Sequence, residues 1–191
     1  MRKGLTLIFI FLLAVTSIIA QSSEMNPEAA KLYNEGNKLY KSGQYDGAIA
    51  KYDEALAIEK HPNIYYQQSV ALKKNRKFND AEVALKKCLE IDPNFLAAYT
   101  GLGTTYYSLK KYDSAIENFS KYIELSTDEK QNKKIQKYVG LSYTQLGQSA
   151  KSNKNYDKAI ANLNEAVKNY NYDAAYLTLA EIYVELAKYD D

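Results

Sequence analysis

Hydrophobic and small residues recur along this chain at helical spacing, and the stripe changes helix at regular intervals. Between Leu96 and Leu125 the positions Tyr99, Leu102, Gly103 and Tyr106 fall at i, i+3, i+4 and i+7, and Ala115 and Phe119 follow four apart. Each set makes one stripe on one helix. The polar run Lys110-Lys111-Tyr112-Asp113 separates them and predicts a turn, with Asp113 at or near the start of the second helix, where a carboxylate can accept unpaired backbone N–H groups and favour the dipole. The segment reads as a helical hairpin.

The hairpin recurs on both sides. Leu32, Gly36 and Leu39 precede Ala48, Tyr52 and Ala55, and Gly43 between them predicts a left-handed helix end within Lys41-Ser42-Gly43-Gln44. Tyr65, Ser69 and Leu72 precede Ala81, Leu85 and Cys88, with Pro62 suited to a first helical position and Ile91-Asp92-Pro93 ending the unit. Gln68-Ser69 departs from the Leu-Gly pair found at Leu102-Gly103 and Leu146-Gly147, although Ser is still small. Ala48 to Ala81 is 33 residues and Ala81 to Ala115 is 34, whereas Ala115 to Ala159 is 44. The ten surplus residues lie within 126–139, a stretch without Gly or Pro and rich in helix formers, so the first helix of the fourth hairpin is predicted to be extended at its N-terminus, with Ser126 and Glu129 fitting a capping box. The pattern resumes with Tyr143, Leu146, Gly147, Ala159, Leu163 and Ala166 and ends with one further helix carrying Tyr176, Leu179, Ala180 and Tyr183, which reads either as a terminal cap or as a truncated repeat.

These offsets resemble the tetratricopeptide repeat, whose pattern is W-x2-L-G-x2-Y, then A-x3-F, then P; in the third hairpin Tyr99 replaces the Trp and Thr127 stands where the Pro would be. The resemblance implies an all-α solenoid, a right-handed superhelix of antiparallel helical hairpins, with repeats over 29–61, 62–95, 96–129 and 130–172 and a terminal helix or partial fifth repeat over 173–191. It also implies a non-catalytic scaffold that holds a protein or peptide partner in its concave groove.

The first twenty residues stand apart from this periodicity. Met1-Arg2-Lys3 is basic, the run from Leu5 to Ala20 is uncharged and apolar, and a polar lead-in over 21–28 follows, which is the layout of a secretory signal peptide cleaved after Ala20. Sixteen apolar residues are fewer than the ~20 that span a bilayer, which disfavours an uncleaved anchor. The expectation is an exported protein, periplasmic or secreted, without a membrane partner once the signal is removed. Without Arg2 and Lys3 the chain carries 23 basic and 23 acidic residues, a balance that argues against nucleic acid or an anionic surface as partner.

Candidate chemistry is sparse. His61, the one histidine, falls in a predicted loop beside Pro62 and reads as a solvated residue; Cys88, the one cysteine, occupies a small-residue packing position and reads as a buried hydrophobe. No Gly-rich phosphate loop, zinc spacing or nucleophile elbow occurs, so no catalytic residue, metal or cofactor is implied. Of nineteen tyrosines, eleven (45, 52, 65, 99, 106, 112, 143, 156, 176, 183 and 189) fall at packing positions, whereas Tyr33, Tyr40, Tyr66 and Tyr107 lie one residue further on. In the family that adjacent face tends to line the groove. The candidate peptide-binding positions are therefore Tyr33, Asn34, Asn37, Tyr40, Tyr66, Gln67, Thr104, Tyr107, Gln145 and Gln148, a surface of amides, hydroxyls and rings with few charges. Some relatives hold acidic C-termini with a clamp of Lys, Asn and Arg; only Asn37 matches it, while Tyr33, Gln67, Ala97 and Gly101 stand at the other clamp positions, which argues against specific capture of a C-terminal carboxylate. Lys130, Lys133, Lys134 and Lys137 make a basic stripe on the extended helix, read as a solvated face or as a dock for an acidic partner. A structural or assembly subunit that uses the convex face and this helix is the alternative role.

Overall fold

Small residues at fixed intervals let successive antiparallel helices pack closely through residues 25–187, the part of the chain that the structure, a computed structural model, describes. Among those residues the order is α1 Pro27–Lys41, α2 Tyr45–Ile58, α3 Pro62–Lys74, α4 Phe78–Ile91, α5 Leu96–Ser108, α6 Tyr112–Leu125, α7 Glu129–Ser152, α8 Tyr156–Asn169 and α9 Asp173–Ala187. Each helix packs on the next in sequence, so that α3, α5 and α7 each lie between two even-numbered helices, which makes an all-α solenoid. The expected signal segment and Tyr189 lie outside the described residues.

The four hairpin alanines Ala48, Ala81, Ala115 and Ala159 are wholly buried, and the glycines opposite them mark the helix crossings. A Cβ on Gly103 would come within 2.5 Å of Phe119 Cδ1, and one on Gly147 within 2.5 Å of Leu163 Cγ. Gly101 does the same between repeats, where a Cβ would meet Leu85 Cδ2 at 2.7 Å. In the second hairpin Ser69 takes the glycine position, fully buried, with its hydroxyl donating to the Tyr66 carbonyl at 2.6 Å, and Gln68 donates to Asp53 Oδ1 at 2.6 Å. Their polarity is thus satisfied locally.

Every hairpin turns in the same way. Gln44, Lys77, Lys111 and Asn155 each donate a backbone hydrogen bond five residues back, to Leu39, Leu72, Tyr106 and Ala150, and the residue before each donor has positive φ. That residue is Gly43 at φ 79° in the first turn but Arg76, Lys110 and Lys154 at 59°, 59° and 56° in the others. Side-chain-bearing residues pay ~1–2 kcal/mol to be left-handed, so three of the four turns carry strain that the two capping hydrogen bonds of the motif must offset. Asp113 sits in the first turn of α6 and no side chain caps that helix, so its contribution is to the dipole rather than as a cap.

Two further expectations are corrected. The extended helix α7 is capped by Asp128, whose side chain accepts from the Gln131 N–H at 3.0 Å, and not by a Ser126–Glu129 box; Ser126 lies two residues too early and instead accepts from the Asp128 N–H at 3.2 Å. His61 is buried rather than solvated, because it serves as the N-cap of α3, with Nδ1 accepting from the Asn63 N–H at 3.2 Å.

The terminal helix also differs from its sequence reading. Ala175, Thr178 and Ile182 are buried against α8, while Tyr176 and Tyr183, at the positions that in earlier hairpins receive a second helix, are 47% and 54% exposed. Among the described residues no following helix covers them.

Candidate functional site

The candidate residues all fall on the odd-numbered helices α1, α3, α5 and α7, beside the packing stripe. All are half-buried except Asn34, which is exposed. The helical repeat dictates this placement, since residues one position beyond the buried stripe turn about 100° toward the adjacent face.

Two clusters form. Toward the N-terminus Tyr33 packs on Tyr52 at 6.0 Å between ring centroids, and Tyr52 donates its hydroxyl to Asn37 Oδ1 at 2.7 Å. Tyr40 packs against Tyr45 at 5.6 Å, and Tyr66 against Phe95 at 5.4 Å. Toward the C-terminus Tyr107 meets Tyr112 edge-on at 5.4 Å, Tyr112 donates to Gln145 Oε1 at 3.4 Å, and Gln145 donates to Gln148 at 3.3 Å. Burial raises the phenol pKa of both Tyr66 and Tyr107, with neighbouring Cys88 and Tyr40 adding to the first and Tyr112 and Tyr172 to the second. These hydroxyls therefore stay protonated and remain donors.

The rings are thus partly committed to the protein. The amides of Asn34 and Gln67 are not: neither makes a hydrogen bond within the described residues. An amide offers two donors and a carbonyl acceptor, which is what an extended or helical peptide backbone needs from a receptor.

Lys73 of α3 donates to Thr104 Oγ1 of α5 at 3.2 Å, and the Thr104 hydroxyl in turn donates to the Gly101 carbonyl at 3.0 Å. Burial, with Lys74 adding repulsion, holds the Lys73 ammonium pKa below its ordinary value. Sorting the tyrosines alone missed this residue. The signal was available in the register, because Tyr40, Lys73, Tyr107 and Lys151 follow one another at the same 33, 34 and 44 residue steps as the four hairpin alanines.

The other candidates stay apart from this face. Cys88 is fully buried and its thiol is pushed up to about 12 by burial, so it is inert. Lys130, Lys133, Lys134 and Lys137 are exposed along the first turns of α7, with Lys137 5.3 Å over the Tyr170 ring. Among the described residues no three His, Cys, Asp or Glu side chains converge as a metal site, and no helix is long and apolar enough to cross a membrane.

Comparison with known proteins gives the register a family. Models of the tetratricopeptide repeat match residues 29–61, 72–131 and 141–171. The chain is 29% identical over 112 residues to heat shock protein STI1 of Saccharomyces cerevisiae, covering 58% of this chain and 19% of that protein. The chain therefore spans about a fifth of that relative's length. Among solved structures, the Sgt2 tetratricopeptide domain from Aspergillus fumigatus superposes with a TM-score of 0.58 at 22% identity, over 66% of this chain and 83% of that one. The first tetratricopeptide domain of Spaghetti (RPAP3), bound to the HSP90 peptide SRMEEVD, superposes with a TM-score of 0.52 at 25% identity, over 56% and 89%.

Proposed function

Because this chain is a tetratricopeptide-repeat protein, we propose that it is a non-catalytic adaptor that holds an extended or helical segment of a partner protein along the face formed by α1, α3, α5 and α7. The observation that carries the reading is the pairing, on that face, of unpartnered amides at Asn34 and Gln67 with the half-buried rings of Tyr33, Tyr40, Tyr66 and Tyr107. The rings lose little entropy on covering a ligand's apolar side chains, and the amides satisfy its backbone. The solved Spaghetti domain with a heptapeptide bound supports peptide capture by a fold of this kind. In this reading the protein acts outside the cytoplasm, after removal of residues 1–20, on the strength of the basic start and short apolar run.

Two measurements test it. Fluorescence anisotropy with labelled SRMEEVD and with segments recovered by crosslinking should give saturable binding that Tyr66→Ala with Tyr107→Ala weakens by ~2 kcal/mol, while Lys130→Ala with Lys134→Ala leaves it unchanged. The opposite ranking would move the site to α7 and favour the assembly-subunit role. Mass spectrometry of the protein isolated from its own cells should find Gln21 at the N-terminus; an intact Met1 would refute export by this signal.

A further inference from the structure

Four residues occupy one register on the odd-numbered helices of the hairpins: Tyr40, Lys73, Tyr107 and Lys151. The two lysines permit a comparison within one molecule. Lys151 Nζ lies 2.6 Å from a Glu181 carboxylate oxygen and 3.3 Å from one of Glu185, both on α9, the odd-numbered helix that follows its own. Hydrogen bonds to these carboxylates raise the Lys151 ammonium pKa despite some desolvation. Lys73 faces the corresponding helix, α5, but the positions equivalent to Glu181 and Glu185 carry Thr104 and Ser108. The carboxylates are replaced by hydroxyls.

Lys73 is consequently a half-buried ammonium that has one neutral acceptor, Thr104 Oγ1, and no carboxylate within 4 Å among the described residues. A desolvated cation without a counter-ion is costly, and the same register two hairpins later shows what satisfies it. We infer that Lys73, with the Thr104 hydroxyl beside it, is a carboxylate-binding point on the ligand face, so that the bound segment places an acidic group between α3 and α5. This rests on the peptide-binding reading and narrows it: the partner segment is acidic at the residue that lies against Lys73 and Thr104. The acid is a Glu or Asp side chain or a chain terminus, which share the same chemistry at this point. The carboxylate would complete the ammonium's hydrogen bonds as Glu181 does for Lys151.

The first test needs no ligand. In the full chain, Thr104→Glu should supply the missing carboxylate from within, as Glu181 does at the equivalent position, and raise the melting temperature by about 2–4 °C. In Lys73→Met the same Thr104→Glu change should give no rise. A rise of the same size in both backgrounds, or none in either, would overturn the inference. The second test uses the labelled peptides SRMEEVD, its C-terminal amide, and the amide with Gln and Asn in place of its acids. Lys73→Met and Thr104→Glu should each weaken SRMEEVD about tenfold or more and leave binding of the acid-free peptide unchanged. Loss on amidation alone assigns the acid to the chain terminus; loss only on Gln and Asn replacement assigns it to side chains. Equal binding of all three peptides, unaffected by Lys73→Met but weakened by Tyr66→Ala with Tyr107→Ala, would overturn this inference and leave the peptide-binding face standing. Binding unaffected by either change would overturn both.

Discussion

Gly103→Leu is expected to destabilise the array by about 3 kcal/mol, the upper end of overpacking costs, whereas Lys133→Ala should stay within about 0.5 kcal/mol. The first Cβ alone would meet Phe119 Cδ1 at 2.5 Å and Cζ at 2.8 Å, well inside contact distance. The ring cannot retreat, because Phe119 is fully buried and stacked on Tyr138 at 5.5 Å. Relief must come from parting α5 and α6, which would also loosen Ala115, wholly buried one turn before Phe119. Lys133, by contrast, is exposed and makes no ion pair within the described residues. Urea denaturation of both variants checks the ranking, and equal midpoints would refute the packing register.

The helices were legible in the sequence because small residues at helix crossings admit little else. Ala48, Ala81, Ala115 and Ala159 announce their own spacing, and a spacing near 34 with Gly or Ser opposite admits one arrangement of hairpins. Caps were harder to read. Ser126-x-x-Glu129 has the composition of a capping box, yet Asp128 stands two residues later with its own partner in Gln131, and local competition between two such motifs depends on where the backbone bends. His61 was misread because a loop position suggests solvent, whereas an N-cap between packed helices is buried. Of the ligand face, the tyrosines could be sorted by register alone, but their ring partners Tyr45, Phe95 and Tyr112 and the bond between Asn37 and Tyr52 depend on packing between helices. Lys73 was legible in principle, and its lack of a carboxylate was not, since that depends on which side chains α5 turns toward it.

Phe119→Ala should cost about 3–5 kcal/mol, the largest effect of any single truncation considered, and its damage should be directional. The ring touches three parts of the structure at once: the Gly103 backbone of α5, the buried interior around Ala115, and Tyr138 on the extension of α7, whose ring lies nearly parallel at an interplanar angle of 26°. Removing it leaves a cavity opposite a glycine, which has no side chain with which to fill the space. It also strips the cover from Tyr138, already 42% exposed, so the extended turns of α7 lose an aromatic contact that holds them on the array. In a solenoid each repeat is stabilised mainly by its neighbours, so the loss should weaken the boundary between the third and fourth hairpins more than the first. Hydrogen exchange should therefore show α6 and residues 129–139 losing protection while α1 and α2 keep theirs, with Phe119→Leu giving a smaller change of the same pattern. Uniform loss across all hairpins would mean that the array unfolds as one cooperative unit and that the Phe119–Tyr138 contact is not the joint between its halves.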